Sequence, residues 1–230
     1  MTTYHHEFYA GRDEATRYAA ETILGLLLKQ ITPVKSAIDI GCGVGTWLSV
    51  LTDTHGVTVT QGHDGDWVER DLLEIPQDCF EPVLLSKELP AVTRRYDLAI
   101  SLEVAEHLPS ERAADFVKYL TELSDTVLFS AAIPGQGGTG HVNEQWPKYW
   151  ADLFLVHGYT TTAEIRPRIW DDDKIPFWYR QNTLLFTKEW RTGTPLSLVY
   201  PDLYLAYAQP GVKGSFRALC QAVKQYAGKS

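Results

Sequence analysis

The feature that most constrains this chain is a short apolar run ending in three alternating glycines, Ala37-Ile-Asp-Ile-Gly-Cys-Gly-Val-Gly45. Ala37 to Ile40 reads as a buried strand. Glycine permits the tight strand-to-helix turn beyond it, and it lets backbone amides approach a ligand with no Cβ in the way. Thr46 to Leu51 then reads as a helix, whose first N–H groups lack intrahelical partners and suit an anionic group.

The rest of the chain repeats this alternation. Residues 12–30 carry Ala15, Ala19, Thr22, Ile23, Leu26 and Leu27 at helical spacing, and Pro33 closes the pattern. Further strands are expected at Val57–Thr60, near Phe80–Leu85, at Tyr96–Ser101 and at Thr126–Ser130. Two more are expected near Tyr159–Ile165 and Asn182–Thr187. Ser110 is the expected N-cap of a helix bearing Ala113, Phe116, Leu120 and Leu123 on one face. Another helix is expected from Pro147 to His157, and Phe216, Leu219 and Val223 fit a C-terminal one. Strands alternating with helices predict an α/β fold with a mainly parallel sheet covered on both faces. The expected organisation is one domain over residues 1–230, with a core at 12–190 and a C-terminal extension at 191–230.

Composition removes several classes. With 230 residues and 44% hydrophobic content the chain supports one large core. No apolar run approaches the roughly 20 residues that span a bilayer, and the first residues have no signal-peptide character, so the cytoplasm is the expected location. Cys42, Cys79 and Cys220 are too widely spaced for a disulfide framework or a zinc knuckle. The net charge of -8 opposes nucleic acid as a partner, because the basic stretches Arg94-Arg95 and Arg166-Pro-Arg168 are short.

A dinucleotide site uses a similar turn but with Gly-x-Gly-x-x-Gly spacing. Here the spacing is Gly-x-Gly-x-Gly, with Asp39 inside the strand. Asp39-Ile-Gly-Cys-Gly-Val-Gly45 resembles motif I of class I S-adenosylmethionine (SAM) dependent methyltransferases. Glu103-Val-Ala-Glu-His-Leu-Pro109 resembles their segment after the fourth strand, as found in many small-molecule members. The resemblance spans roughly residues 12–190. It implies a Rossmann-like seven-stranded sheet, SAM as cofactor and methyl transfer to a hydroxyl or amine of a small-molecule acceptor. It also implies that Gly41, Cys42, Gly43 and Gly45 line SAM and that Asp39 orders the loop. By the same resemblance Asp64, with Gly65 beside it, takes the ribose, and Ser101 and Leu102 form the wall under the sulfonium. The family often carries an acidic residue for the adenine amino group, where this chain has Leu84 or Leu85.

Methylating a hydroxyl calls for a general base or a metal that lowers its pKa. Glu103, Glu106 and His107 stand beside the expected methyl site, and a helical turn there puts Glu103 on one face with both others. His141 comes after the glycine-rich loop 135–140 that follows the fifth strand, the strand expected next to the fourth. Glu103, Glu106, His107 and His141 together suit a divalent metal such as Mg²⁺, Mn²⁺, Fe²⁺ or Zn²⁺. This arrangement is similar to the metal-dependent terminal-ribose methyltransferases of small RNAs. The alternative is metal-free chemistry, with Glu103, His107 and His141 as catalytic groups. Loop 135–140, with four glycines, is expected to be mobile until the acceptor binds, and Phe8-Tyr9 to close over SAM. Trp170 and the segment Phe177–Asn182 are candidates for an acceptor wall, with Arg180, Gln181 and Asn182 as orienting groups. His5, His6, His55, His63 and His157 read as surface residues. A SAM-binding module without methyl transfer is the reading from another class, and oligomeric state is left open.

Overall fold

The structure, a computed structural model, describes residues 13–31, 33–162, 164–189 and 197–201. Phe8, Tyr9, His5, His6, Cys220 and the C-terminal helix expected at Phe216, Leu219 and Val223 lie outside them. The chain divides into two compact units, Met1–Ser197 and Leu198–Ser230. The first unit holds α1 (Asp13–Leu27), β1 (Ser36–Ile40), α2 (Thr46–His55), β2 (Val59–Asp64), β3 (Phe80–Pro82), β4 (Leu98–Leu102), α3 (Ala113–Leu123) and β5 (Thr126–Ser130). Then come α4 (Pro147–Val156), β6 (Thr160–Thr162), α5 (Arg166–Ile169), α6 (Phe177–Asn182) and β7 (Leu184–Thr187). The seven strands form one sheet in the order β3-β2-β1-β4-β5-β7-β6. The first five in that order run parallel, whereas β7 is antiparallel to both β5 and β6. This is the expected Rossmann-like α/β architecture, with an antiparallel pair at one edge.

Successive residues of each strand feed opposite sides of the sheet, as a period of two requires. Ala37, Leu98, Ile100, Leu128 and Leu185 pack with α1 and α2, through Ile23, Leu24, Leu27, Trp47, Leu48 and Leu51. Ile38, Ala99, Val127, Phe129 and Phe186 pack with α3 and α4, through Phe116, Leu120, Trp150 and Phe154. Full burial of each such large side chain is worth about 1.5–3 kcal/mol, so the two layers hold the sheet between them. No helix among the described residues is long and apolar enough to cross a membrane.

Several element boundaries differ from expectation. Strand β2 runs from Val59 to Asp64 rather than stopping at Thr60, because Ile38 to Ile40 of β1 pair with Gln61 to His63. The polar run Gln61-Gly-His-Asp64 disguises a strand whose Gly62 is close-packed: a Cβ there would lie 2.7 Å from Cys42 Sγ. His63 is correspondingly buried rather than on the surface, at 6% exposure, with Tyr119 Oη 3.3 Å from Nδ1 and Glu81 3.3 Å from Nε2. Ser110 does not cap α3. Ser110–Arg112 forms a separate 3-10 turn, in which the Ser110 hydroxyl donates to Glu111 (3.4 Å), and α3 begins at Ala113. Phe177–Asn182 is helical, so β7 starts at Leu184.

Candidate active site

The parallel strands end together along one edge, where β1 pairs with β2 on one side and with β4 on the other. At such a reversal of strand order the connections diverge and leave a crevice. Asp39, Gly41, Asp64, Ser101, Leu102 and Glu103 all lie along this edge.

Glycines 41, 43 and 45 have φ of 86°, 55° and 90°, the left-handed region that favours glycine. They are not equivalent. A Cβ on Gly41 would lie 2.2 Å from Val104 Cγ2 and one on Gly45 2.8 Å from Ile75 Cγ1, whereas one on Gly43 meets nothing within 4 Å. Gly41 and Gly45 therefore serve packing, and Gly43 faces open space. The Gly41 and Cys42 amides donate to the His63 carbonyl (2.7 and 3.1 Å), tying the turn to β2. Cys42 is buried, with its thiol against the Gly43 carbonyl (3.5 Å).

Asp64 accepts the Gly43 amide (2.7 Å) and the Gly65 amide (2.6 Å) on its two oxygens. Burial nevertheless pushes its carboxyl above the ordinary range, against those two bonds. Asp39 is 2% exposed, and burial, then the charge of Asp64, drives it well above its usual value. Trp67 packs its indole where a Cβ of Gly65 would stand, while remaining 48% exposed. Leu84 is exposed and Leu85 buried. Ser101 is fully buried, with no partner for its hydroxyl, and Leu102 packs in the layer that holds Trp47 and Tyr179. Behind the turn, Glu74 accepts from Thr46 Oγ1 (2.9 Å) and pairs with Arg17, which brings α1 onto α2.

On the β4 side Glu103 has φ of 57°, the one left-handed non-glycine among the described residues. That twist separates it from the 3-10 turn Ala105–His107 and sends its carboxylate toward α6. Asn182 Nδ2 donates to Glu103 Oε1 (3.0 Å), Gln136 Nε2 donates to Oε2 (3.1 Å), and Asn182 also donates to Gln136 Oε1 (2.9 Å). Burial raises the Glu103 carboxyl, opposed by Asn182, Ser130 and Gln136. Helix α6 is itself held from behind by the fully buried Arg166, which donates to the Gln181 carbonyl (3.1 Å).

Of the four residues expected to act as one unit, three form a tight group and the fourth, Glu103, stands beside it, close enough to raise the Glu106 carboxyl. Glu106, His107 and His141 bring one ligand atom each within 4.8 Å of one another, and Glu103 is outside that group. The rings of His107 and His141 meet edge to face at 4.9 Å. Glu106 is fully buried and neither of its oxygens has a hydrogen-bond partner. Burial and then the neighbouring Glu103 charge push its carboxyl well up, with the nearby amides of Glu106 and Ala132 opposing. His107 is lowered by burial and by His141, against the Gly140 backbone, which favours its neutral form. One buried carboxylate with two orphan oxygens beside two imidazoles is a donor set that suits a divalent transition metal.

Loop 135–140 is tied to Glu144 through two of its backbone amides. Glu144 accepts the Gly135 amide (2.8 Å) and the Gly137 amide (2.7 Å), and His141 Nδ1 lies 3.0 Å from it. Glu144, Gln136, Trp67 and Glu74 were not among the expected site residues. A glutamate three residues after a histidine in one loop was the available sign for Glu144.

A family model described as methyltransferase domain matches residues 10–130, and the chain belongs to that family. It is a SAM-dependent methyltransferase, with the fold of that class. No curated protein sequence matches it. Among solved structures it is similar to magnesium protoporphyrin IX methyltransferase from Synechocystis PCC 6803 with bound S-adenosylhomocysteine, at 16% identity and a TM-score of 0.54, over 77% of this chain and 85% of that one. The methyltransferase domain of bacterial CtHen1 matches at 21% identity and 0.52, over 74% and 97%. An O-methyltransferase family protein from Burkholderia thailandensis matches at 13% and 0.50, over 80% and 63%. At these identities the likenesses speak to fold.

Proposed function

We propose that this enzyme methylates a hydroxyl of a small-molecule acceptor, assisted by a divalent metal at Glu106, His107 and His141. The observation that carries the reading is Glu106, a fully buried carboxylate with two unpartnered oxygens between Glu103 and two imidazoles. Leaving such a group unmatched costs several kcal/mol, which a cation offsets. When bound, the metal supplies a Lewis acid that makes an acceptor hydroxyl easier to deprotonate.

In this reading Gly43 leaves room for SAM against the turn, and Asp64 accepts the ribose hydroxyls with the lone pairs its two amide bonds leave free. Asp39, buried beneath the turn, orders it, and Ser101 and Leu102 close the crevice beneath the cofactor. The sulfonium is already an activated donor, so the protein's task is alignment and proton removal. The acceptor oxygen forms its bond to the methyl carbon as the carbon–sulfur bond breaks, with the electron pair going to sulfur. Without a metal, His107 or His141 would instead take the hydroxyl proton as a general base. Glu103, held by Asn182 and Gln136, orients the acceptor rather than joining the metal group.

The same Glu106, His107 and His141 cluster favours a second reading, methylation of an RNA ribose. The net charge of -8 weighs against it. Labelled SAM offered with small hydroxylated acceptors, amines and short RNAs, with and without chelator, separates these readings. We expect label in a small hydroxylated acceptor, lost on chelation while S-adenosylhomocysteine still binds. Full turnover in a verified metal-free preparation defeats the metal assignment, and label only in RNA defeats the acceptor class.

A further inference from the structure

We propose that Glu144 is a positioning residue that fixes the tautomer of His141, so that Nε2 carries the lone pair used at the site, and that Gly138 is glycine to make room for that nitrogen. The proposal rests on the proposed function only in giving His141 work to do.

The segment around His141 is pinned through its backbone. Val142 and Asn143 amides both donate to the Glu106 carbonyl (2.8 and 3.0 Å), and the Gln145 amide donates to Ala132 (3.1 Å). These bonds carry His141 to Glu106 but leave its ring free to turn and its proton free to sit on either nitrogen. Glu144 removes that freedom. Its oxygens are held in place by the Gly135 and Gly137 amides, and the oxygen that takes Gly137 also lies 3.0 Å from His141 Nδ1. Two backbone donors on one carboxylate favour its ionised form, which accepts and never donates. Nδ1 must therefore carry the hydrogen, and in the neutral ring Nε2 is left as base or ligand. A carboxylate behind a histidine in this way sets ring orientation and raises ligand basicity.

Gly138 supplies an independent mark of the same design. Gly135, Gly137 and Gly140 have φ of 85°, 69° and 77°, a sufficient reason for glycine, but Gly138 does not adopt a left-handed backbone. Its reason is steric: a Cβ there would lie 2.2 Å from His141 Nε2 and 2.5 Å from Cε1. Any side chain at 138 would push the ring off the position in which Glu144 holds it.

The experiment uses the full chain labelled with ¹⁵N-histidine, free of metal and saturated with S-adenosylhomocysteine, at alkaline pH. The expected wild-type result is a proton on Nδ1 of His141 and an unprotonated Nε2. In Glu144→Ala the two tautomers should mix, and in Gly138→Ala the His141 signals should shift while those of His63 stay. With Co²⁺ as probe, Glu144→Ala should bind about 10–100-fold more weakly, with unchanged affinity for S-adenosylhomocysteine. A proton on Nε2 in the wild type overturns the proposal without recourse to any variant, which covers the case of a variant that does not fold. So does a Glu144→Ala protein that keeps both the wild-type tautomer and its Co²⁺ affinity. A wild type that binds no Co²⁺ but shows the Nδ1 proton counts against the metal reading and leaves the positioning role standing.

Discussion

Two glycine-rich turns border the catalytic edge, and each is gripped by one carboxylate that accepts two backbone amides. In the turn after β1 the carboxylate is Asp64, reaching from β2 to Gly43 and Gly65. In the loop after β5 it is Glu144, reaching back to Gly135 and Gly137. The outcomes are opposite. Burial wins at Asp64 and its carboxyl is raised, whereas at Glu144 burial is outweighed by His141 and the two amides and the carboxyl is lowered. Asp64 is left under-satisfied, a group that gains when a ligand brings further donors or positive charge. Glu144 is satisfied by the protein itself, which is the condition of a scaffold. On the proposed function, the same local device serves ligand binding in one turn and preorganisation in the other.

Substitutions at the glycines should give the largest effects and separate fold from function within the first turn. Gly41→Ala combines a left-handed backbone with a clash against Val104, and should lower stability to urea by about 2–5 kcal/mol. Gly43→Ala meets only the backbone cost, about 1–2 kcal/mol, and its main effect should appear as weaker S-adenosylhomocysteine binding in calorimetry. Equal stability losses in the two variants contradict the division between packing and ligand-facing glycines.

The carboxylates come next. Asp64→Ala should weaken S-adenosylhomocysteine about 100-fold, since it removes a charged acceptor and loosens two amides. Glu144→Ala should change that affinity less than about threefold while depressing turnover, on the usual scale for displaced orienting groups. If both variants lose cofactor affinity alike, the contrast between ligand-facing and scaffold carboxylates fails.

Glu106→Gln probes a third carboxylate, one that neither turn satisfies. Removing a buried carboxyl that folding pushes well above its usual range should raise the stability of the metal-free protein near pH 7 by about 1–3 kcal/mol while turnover disappears. A destabilised Glu106→Gln protein argues that Glu106 has a structural partner.

The smallest effect is in the pH dependence. A carboxyl raised on folding contributes stability that is full below the unfolded value near about 4 and is lost as pH rises through its folded value. Asp64 is of this kind. Glu144, lowered on folding, contributes stability above the unfolded value that is lost as pH falls through its folded value. Ligand-free Asp64→Asn should therefore show a shallower fall in Tm than the parent as pH rises above about 4, and Glu144→Gln a shallower fall toward acid. Identical slopes in all three proteins remove the electrostatic basis of the comparison.

Residue order alone was enough to specify the strand, turn and helix around Gly41–Gly45, the alternating α/β order and the two apolar layers on the sheet. These depend on neighbours in the chain: glycine conformation, apolar period and the spacing of turn residues. Residue order also placed Glu106, His107 and His141 in one neighbourhood, because adjacent parallel strands end on the same edge. Which of those groups meet is a matter of three-dimensional packing. Glu103 stands three residues from Glu106, yet its left-handed backbone hands it to Asn182, 79 residues away, and to Gln136. Gln61 to Asp64 lay beyond the expected end of a strand and became part of it, because β1 and β3 supplied its hydrogen bonds. Glu144 and Gly138 carried no periodic signal, since their roles depend on where a loop folds back rather than on any repeat along it. Local pattern sets the backbone path. The direction of each polar side chain is set by partners that the crossovers bring in from elsewhere in the chain, and no spacing within the sequence encodes that.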